Sequence, residues 1–285
     1  DDLGVLIEWA TAGEPVEERS QAGAALLDVA DRGGAIARHL AHAVEQLQHV
    51  NPVRISGRVT DVIGLVIEGT GPGLPIGGVC QIERRAGGDS IAAEVVGFRQ
   101  NRVLLMPLGE VSGIEPGNRI VVARDRSTVG VGPGLRGRVL NGLGVPLDGG
   151  GAIAVEREVP LHGPHINPLE RAPIRTPLDL GIRALNAMLT CGRGQRLGIF
   201  AGSGVGKSAL LGMIARSTRA QVNVIALIGE RGREVREFIE RDLGPEGLRR
   251  SVVVVATSDQ AAVVRATGAL VATTIAEYFR DTGRD

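Results

Sequence analysis

Short apolar runs, separated by clusters of glycine and proline, dominate the chain between residues 51 and 125. The runs cover 53–59, 65–68, 79–83, 92–96, 103–106 and 119–123. Several short strands with turn residues between them are typical of a small β-barrel. We therefore predict a β-barrel domain over 51–125. No catalytic constellation is evident within it, so we expect a structural role such as contacts between subunits.

The first fifty residues follow a helical period instead. Apolar side chains recur at intervals of three or four on one face of a predicted helix, at Ile36, Leu40, Val44 and Leu47. We predict a helical N-terminal extension over 1–50. Its stripe is equally consistent with packing on the protein's own body and with docking to a partner protein or membrane surface.

In the last part of the chain, 126–285, apolar patterns typical of strands alternate with patterns typical of helices. Asn223–Ile228 and Ser251–Ala256 are continuous apolar runs, as buried parallel strands are. Helical patterns follow them, over about 233–243 and 261–280. Alternating strands and helices predict an α/β domain with a parallel sheet and right-handed crossovers.

A glycine-rich turn at 201–206 lies between a predicted strand at 197–200 and a helix beginning near Lys207. Glycines let backbone N–H groups surround a polyphosphate, and the helix N-terminus presents its positive dipole end to the same anion. The pattern is typical of a phosphate-binding loop, in which Lys207 contacts the terminal phosphates and Ser208 ligates Mg²⁺. Ala201 stands where the strict pattern has glycine, and a small residue suffices there. The predicted nucleotide-binding residues are Gly202, Ser203, Gly204, Val205, Gly206, Lys207, Ser208 and Ala209.

Composition supports this role for the lysine. Lys207 is the only lysine in a chain that otherwise carries its positive charge on arginine. The planar fork of arginine is too large for such a cradle, whereas lysine acts as a compact point charge. A plain glycine turn between a strand and a helix is the alternative, and the retained lysine argues against it.

A second group of charged residues follows the strand Asn223–Ile228, in the segment GERGRE. Ligands of parallel sheets bind at the carboxyl ends of the strands. We predict that Glu230 faces the terminal phosphate and orients the attacking water, and that Glu234, one helical turn further on, joins the water shell of Mg²⁺. The alternative is an acidic, solvated helix start, where carboxylates are favoured in any case.

Overall composition narrows the functional classes. The formal net charge is zero and aromatic residues make up 2%, which argues against a nucleic-acid surface. Cys80 and Cys191 lie far apart in the chain, and a reducing cytosol fits them better than a disulfide framework. We find no apolar run of the length that a membrane-spanning helix needs.

Five stretches of the sequence are distinctive: NAMLTCGRGQRLGIFAGSGVGKS (186–208), ALIGERGREVREFIERDLGPEGLRRSVVVVATSD (226–259), IAEYFRD (275–281), GRVLNGLGVPLDG (137–149) and NPLERAPIRTPLDLGIRALN (167–186). They closely resemble the ATPases of type III protein export. That family includes the flagellar export ATPase and the injectisome ATPase and is similar to the catalytic subunit of rotary ATP synthases. The resemblance covers nearly everything from Asn51 onward. It implies a RecA-like parallel sheet preceded by a β-barrel, assembled as a homohexameric ring.

The resemblance also implies function. Lys207 and Ser208 take the phosphate and Mg²⁺ roles, Glu230 the catalytic carboxylate role, and Arg231 flanks it. With ATP and Mg²⁺, such an enzyme energises protein export from the cytoplasm, at the inner face of the cell membrane. Its partners are export-apparatus proteins and secreted substrates or their chaperones, with no nucleic acid.

The family's Mg²⁺-associated aspartate, adenine-stacking residue and arginine finger fall beyond Asp285. We therefore expect the sheet to be incomplete, the chain to be truncated at its C-terminal side, and residues 1–285 alone to be poorly soluble and inactive.

Two other functions stay open at this point. A hexameric RNA translocase with a RecA core needs stacking aromatics and a basic channel, which the composition disfavours. A nucleotide-binding scaffold that does not hydrolyse ATP is disfavoured by Glu230, because non-catalytic subunits of the rotary relatives tend to carry glutamine there. The motifs do not separate a flagellar from an injectisome system.

Overall fold

The computed structural model describes residues 56–71, 73–84, 89–163, 167–202 and 204–285. The predicted helical extension, 1–50, lies outside the described residues. Among the helices that the structure describes, none is long and apolar enough to cross a membrane.

Six antiparallel strands close into a barrel, as the spacing of the apolar runs predicts. Going around it the order is β1-β2-β5-β4-β3-β6, and β6 pairs with β1. Closure leaves no sheet edge free. Alternate side chains fill the interior, and Ile67, Leu105 and Ile120 are fully buried there. The strands are β1 (Ser56–Ile63), β2 (Val66–Thr70), β3 (Val79–Glu83), β4 (Ile91–Arg99), β5 (Arg102–Pro107) and β6 (Arg119–Arg124).

The connection after the barrel contains short paired strands, one short α-helix and two 3₁₀-helices, Pro133–Leu135 and Pro168–Glu170. Two of the strands, β7 and β9, form an antiparallel ribbon, and β10 pairs with β11. The elements in chain order are β7 (Thr128–Val131), β8 (Val139–Asn141), β9 (Arg157–Pro160), β10 (Pro177–Leu178), α1 (Arg183–Met188) and β11 (Cys191–Gly192).

A parallel sheet with the order β12-β13-β8 organises the rest of the chain. Both predicted apolar runs form strands with the predicted bounds, so the α/β prediction with a parallel sheet is confirmed. The elements are α2 (Lys207–Ser217), β12 (Asn223–Ile228), α3 (Gly232–Glu237), a π-helix (Phe238–Leu243), α4 (Gly244–Arg249), β13 (Ser251–Ala256) and α5 (Ala262–Asp281).

Helices cover both faces of this sheet, because β13 is apolar on both sides. Val252 and Val254 pack in one core with side chains of α5, and Val253 and Val255 pack in another with side chains of α2, α3 and the π-helix. Every residue of β13 is buried. At Gly268, in the middle of α5, an added Cβ would lie 3.1 Å from the Ile228 Cδ1 atom. The glycine lets the helix lie close to the carboxyl end of the sheet.

The predicted strand at 197–200 is wrong. These residues have no strand conformation, and the Phe200 side chain is 97% exposed. A strand needs a neighbour to accept and donate its ladder hydrogen bonds. Among the described residues, β12 pairs with β13 alone and no strand pairs with 197–200. The apolar sequence therefore stays without a strand partner and largely exposed.

The helix predicted over 233–243 is present but divided into α3 and the π-helix. Helical periodicity does not distinguish hydrogen bonds to the fourth residue from those to the fifth, so the sequence could not predict the change. The π-helix backbone packs directly on α2 at Gly212, where an added Cβ would lie 2.5 Å from the Asp242 carbonyl oxygen.

Asp148 organises the turn after β8. Its carboxylate accepts hydrogen bonds from the Arg138 Nε and Nη2 atoms at 2.7 and 2.8 Å, and from the backbone N–H groups of Val139 and Gly150 at 2.9 and 3.0 Å. The Arg138 hydrogen bonds, with those two N–H groups, hold the pKa of Asp148 well below its usual range. The ionised carboxylate is therefore stabilised in the folded protein.

Replacing Asp148 with asparagine should lower the free energy of unfolding by about 1–2 kcal/mol at neutral pH, because charge-assisted hydrogen bonds are lost from a partly exposed site. Since folding lowers the carboxyl pKa, the stabilising contribution is complete above the unfolded value of about 3.9 and is lost as the pH falls below it. Urea denaturation of both proteins at neutral pH and near pH 3 measures this. Asp125→Asn, at an exposed position, is the control. An equal decrease in the free energy of unfolding in that variant would show that the Asp148 hydrogen bonds are not the cause.

Candidate active site

The predicted phosphate-binding loop has the backbone that its glycines permit. Gly204 and Gly206 adopt φ of 75° and 95°, a conformation that other residues rarely take. Gly206 precedes the first residue of α2, Lys207, as the N-cap and gives no side-chain cap. The first N–H groups of a helix without such a cap are open to a ligand.

The loop residues lie together at the start of α2, and those that the structure describes are all exposed. Ser203 lies outside the described residues. Ser208 follows Lys207 in the first turn of the helix, as the predicted pairing of phosphate and metal contacts requires. Small residues hold this helix, since Gly212 and Ala215 are its buried positions and the larger Met213 is 45% exposed.

Glu230 stands at the carboxyl end of β12, where the sequence places it. The preceding Gly229 turns the chain with φ of 77°, and its N–H donates to the Ala256 carbonyl at 2.7 Å. The Ser258 N–H donates to the Glu230 carbonyl oxygen at 3.0 Å. Two backbone hydrogen bonds thus tie the Glu230 turn to the last residue of β13 and to the segment that follows it. The sequence did not suggest Ser258, because a backbone donor leaves no residue signature.

The structure brings Lys207 and Glu230 together from two different elements. The Lys207 Nζ atom lies 3.7 Å from the Glu230 Oε1 atom, so the two form an ion pair across the carboxyl end of the sheet. The side chains are 45% and 35% exposed, which leaves both open to a ligand.

Arg231 and Glu234 form a separate ion pair. Arg231 is the N-cap residue of α3, and its Nη1 atom lies 3.3 Å from the Glu234 Oε1 atom. Glu234 lies in the first turn, where the helix dipole favours a carboxylate.

The donors present fit a nucleotide phosphate and its metal. A glycine loop, an uncapped helix N-terminus and an exposed ammonium supply the positive contacts for phosphate. Within the part of the chain that the structure describes, no group of three or more His, Cys, Asp or Glu side chains could enclose a metal. The Ser208 hydroxyl, exposed in the first turn of α2, is the oxygen donor that the loop would offer to Mg²⁺.

Family models place both domains in one family. The β-barrel domain of the ATP synthase alpha/beta family matches residues 59–122, and the nucleotide-binding domain of the same family matches residues 181–285. The chain belongs to the ATP synthase alpha/beta family. The two matches cover the barrel and the part of the chain that contains the predicted phosphate-binding loop.

Curated relatives from this family carry names from two export systems. A flagellum-specific ATP synthase of Salmonella typhimurium is 54% identical over 242 residues, which are 81% of this chain and 53% of the relative. A flagellum-specific ATP synthase of Bacillus subtilis is 52% identical, over 80% of this chain and 52% of the relative. A type 3 secretion system ATPase of Xanthomonas euvesicatoria is 50% identical, over 80% and 51%.

Solved structures agree with the fold. The assembled ATPase EscN of the enteropathogenic E. coli type III secretion system matches with a TM-score of 0.72 and 42% identity, over 80% of this chain and 54% of that one. EscN in complex with its central stalk EscO matches with a TM-score of 0.74 and 43% identity, over 80% and 55%. The chain thus spans about half the length of the relatives it matches.

Proposed function

We propose that this chain is the nucleotide-binding part of an ATPase that energises type III protein export, converting ATP and water to ADP and phosphate. The observation that carries the proposal is the meeting of Lys207 and Glu230, 3.7 Å apart, at the carboxyl end of β12. It joins a phosphate contact and a carboxylate in one exposed site. Phosphoryl transfer depends mainly on positioning and on charge stabilisation, and these two side chains supply both.

Each residue has a distinct role in this proposal. Lys207 and the N–H groups of the loop hold the terminal phosphates, and Glu230 accepts a hydrogen bond from the attacking water. Ser208 ligates Mg²⁺, and Glu234 contacts a water of its shell. Arg231 flanks Glu230 and holds Glu234 through their ion pair. ATP supplies the phosphoryl group, and Mg²⁺ neutralises charge on its phosphates.

The biological setting is proposed from the relatives. They are named for flagellar and type III secretion systems, and EscN was solved in assembled form and with a central stalk. We infer a homohexamer in the cytoplasm, peripheral to the inner face of the membrane, with export-apparatus proteins and secreted substrates or their chaperones as partners. We also infer an N-terminal extension over 1–50, a barrel domain over 51–125 and an ATPase domain over 126–285.

Phosphate release by the full-length protein tests the proposal. We expect ATP hydrolysis that depends on Mg²⁺ and stops when EDTA removes the metal, because the loop alone offers one hydroxyl ligand and needs the metal to organise the phosphates. The same assay with added RNA should give an unchanged rate. Hydrolysis that begins only with RNA would favour a translocase instead, and no hydrolysis under any condition would favour a scaffold subunit.

A further inference from the structure

Lys207 has two anionic partners at the same site. Its ammonium is the contact that the proposed function assigns to the terminal phosphates, yet the Glu230 carboxylate lies 3.7 Å from it. One ammonium cannot serve both anions fully, because the repulsion between carboxylate and phosphate grows as they approach the same point.

The backbone positions of Lys207 and Glu230 are both fixed, so this contact does not depend only on two flexible side chains. Lys207 is the first residue of α2, and α2 packs on the π-helix through Gly212. The Glu230 backbone is held by Gly229 and Ser258 through hydrogen bonds to the end of β13 and the residues after it. Since neither backbone can follow a shortened side chain, the length of the glutamate decides whether the ion pair forms.

A paired carboxylate outside the site provides a contrast. Glu240 lies in the π-helix and is paired with Arg236 at 2.7 Å. It carries a similar charge and has its own cation. A variant at Glu240 therefore shows the effect of removing a charge without breaking the pair with Lys207.

We propose that Glu230 and the terminal phosphates of the nucleotide compete for Lys207, so that Glu230 limits nucleotide affinity in addition to its role with water. The inference rests on the proposed function of the loop. A polyphosphate that takes the ammonium releases the Glu230 carboxylate, which is then available to accept a hydrogen bond from water. Nucleotide binding and the availability of the catalytic carboxylate are thereby coupled through one lysine.

The expected effect is modest, because the pair is partly exposed. Exposed ion pairs of this kind change an equilibrium by a few-fold at most, so removing the pair should tighten nucleotide binding about threefold. Calorimetric titration of the full-length protein with Mg²⁺ and a non-hydrolysable ATP analogue measures this without interference from turnover.

Glu230→Asp is the decisive variant, because it keeps the charge and withdraws the carboxylate by one methylene. Competition for Lys207 predicts about threefold tighter binding for Glu230→Asp and Glu230→Gln, with Glu240→Gln close to the wild type. General repulsion of phosphate predicts that Glu230→Asp binds like the wild type and that only Glu230→Gln binds more tightly, and this result would overturn the inference. Failure of the wild type to bind the analogue would instead count against the proposed function.

A second measurement does not depend on nucleotide. In the full-length protein labelled with ¹³C at lysine Cε, the Lys207 signal is identified as the one that Lys207→Arg removes. Loss of the ion pair should move this signal in Glu230→Asp and leave it in place in Glu240→Gln. Glu230→Asp should have the same melting temperature as the wild type. If it does and the Lys207 signal stays in place, the ion pair between Lys207 and Glu230 is contradicted.

Discussion

Replacing Lys207 with alanine should abolish ATP hydrolysis by the full-length protein and weaken ATP binding. Lys207 provides the only ammonium side chain in the chain, and it stands at the first position of α2 beside the glycine loop. Removing one preorganised charge contact to a reacting group costs on the order of 100-fold or more in turnover. Steady-state phosphate release and nucleotide titration measure the two effects.

Lys207→Arg separates charge from shape. It keeps the positive charge but replaces a compact ammonium with a planar fork, so we expect turnover to fall nearly as far as in Lys207→Ala. Wild-type affinity and turnover in the alanine variant would remove the assignment of residues 201–208 as a phosphate-binding loop.

Glu230→Gln should lower turnover by about 100-fold or more while the protein still binds ATP. The amide has the same shape but is a poor acceptor for the proton of an attacking water, and general base catalysis contributes 10²–10⁴-fold in typical enzymes. Because the amide also no longer pairs with Lys207, the KM should stay level or fall while kcat drops. Initial rates over a range of ATP concentrations separate the two constants.

Glu240→Gln is the matched control for this change. Glu240 lies in the π-helix of the same connection and pairs with Arg236 at 2.7 Å on an exposed face. The substitution removes the same charge away from the loop, so turnover should stay close to that of the wild type. If Glu230→Gln also kept the turnover of the wild type, Glu230 would be an acidic residue before a helix with no part in the reaction.

The strands of the barrel and of the parallel sheet could be predicted from the sequence because their burial leaves a pattern. Ser251–Ala256 is buried at every position and reads as a continuous apolar run. In β5, buried and partly exposed residues alternate. Glu230 could be placed for a related reason, since the end of a parallel strand is where such sheets present their ligand-binding side chains.

Other features depend on partners that the local sequence does not contain. The segment 197–200 has an apolar sequence but no neighbouring strand among the described residues, so its pattern alone gave a wrong strand. Lys207 and Glu230 are 23 positions apart and on different elements, and only the packing of α2 beside β12 shows that they form an ion pair. The Ser258 N–H that positions Glu230 is likewise invisible in a sequence.

The Lys207 side-chain NMR signal gives a direct test of the claim that Lys207 binds nucleotide phosphate. In the full-length protein labelled with ¹³C at lysine Cε, this signal is the one that Lys207→Arg removes. A non-hydrolysable ATP analogue with Mg²⁺ should shift it in a saturable way, and adenosine, which carries no phosphate, should leave it in place. A Lys207 signal that does not move at analogue concentrations that saturate binding would contradict the account, because the nucleotide would then be held somewhere other than the loop at the start of α2.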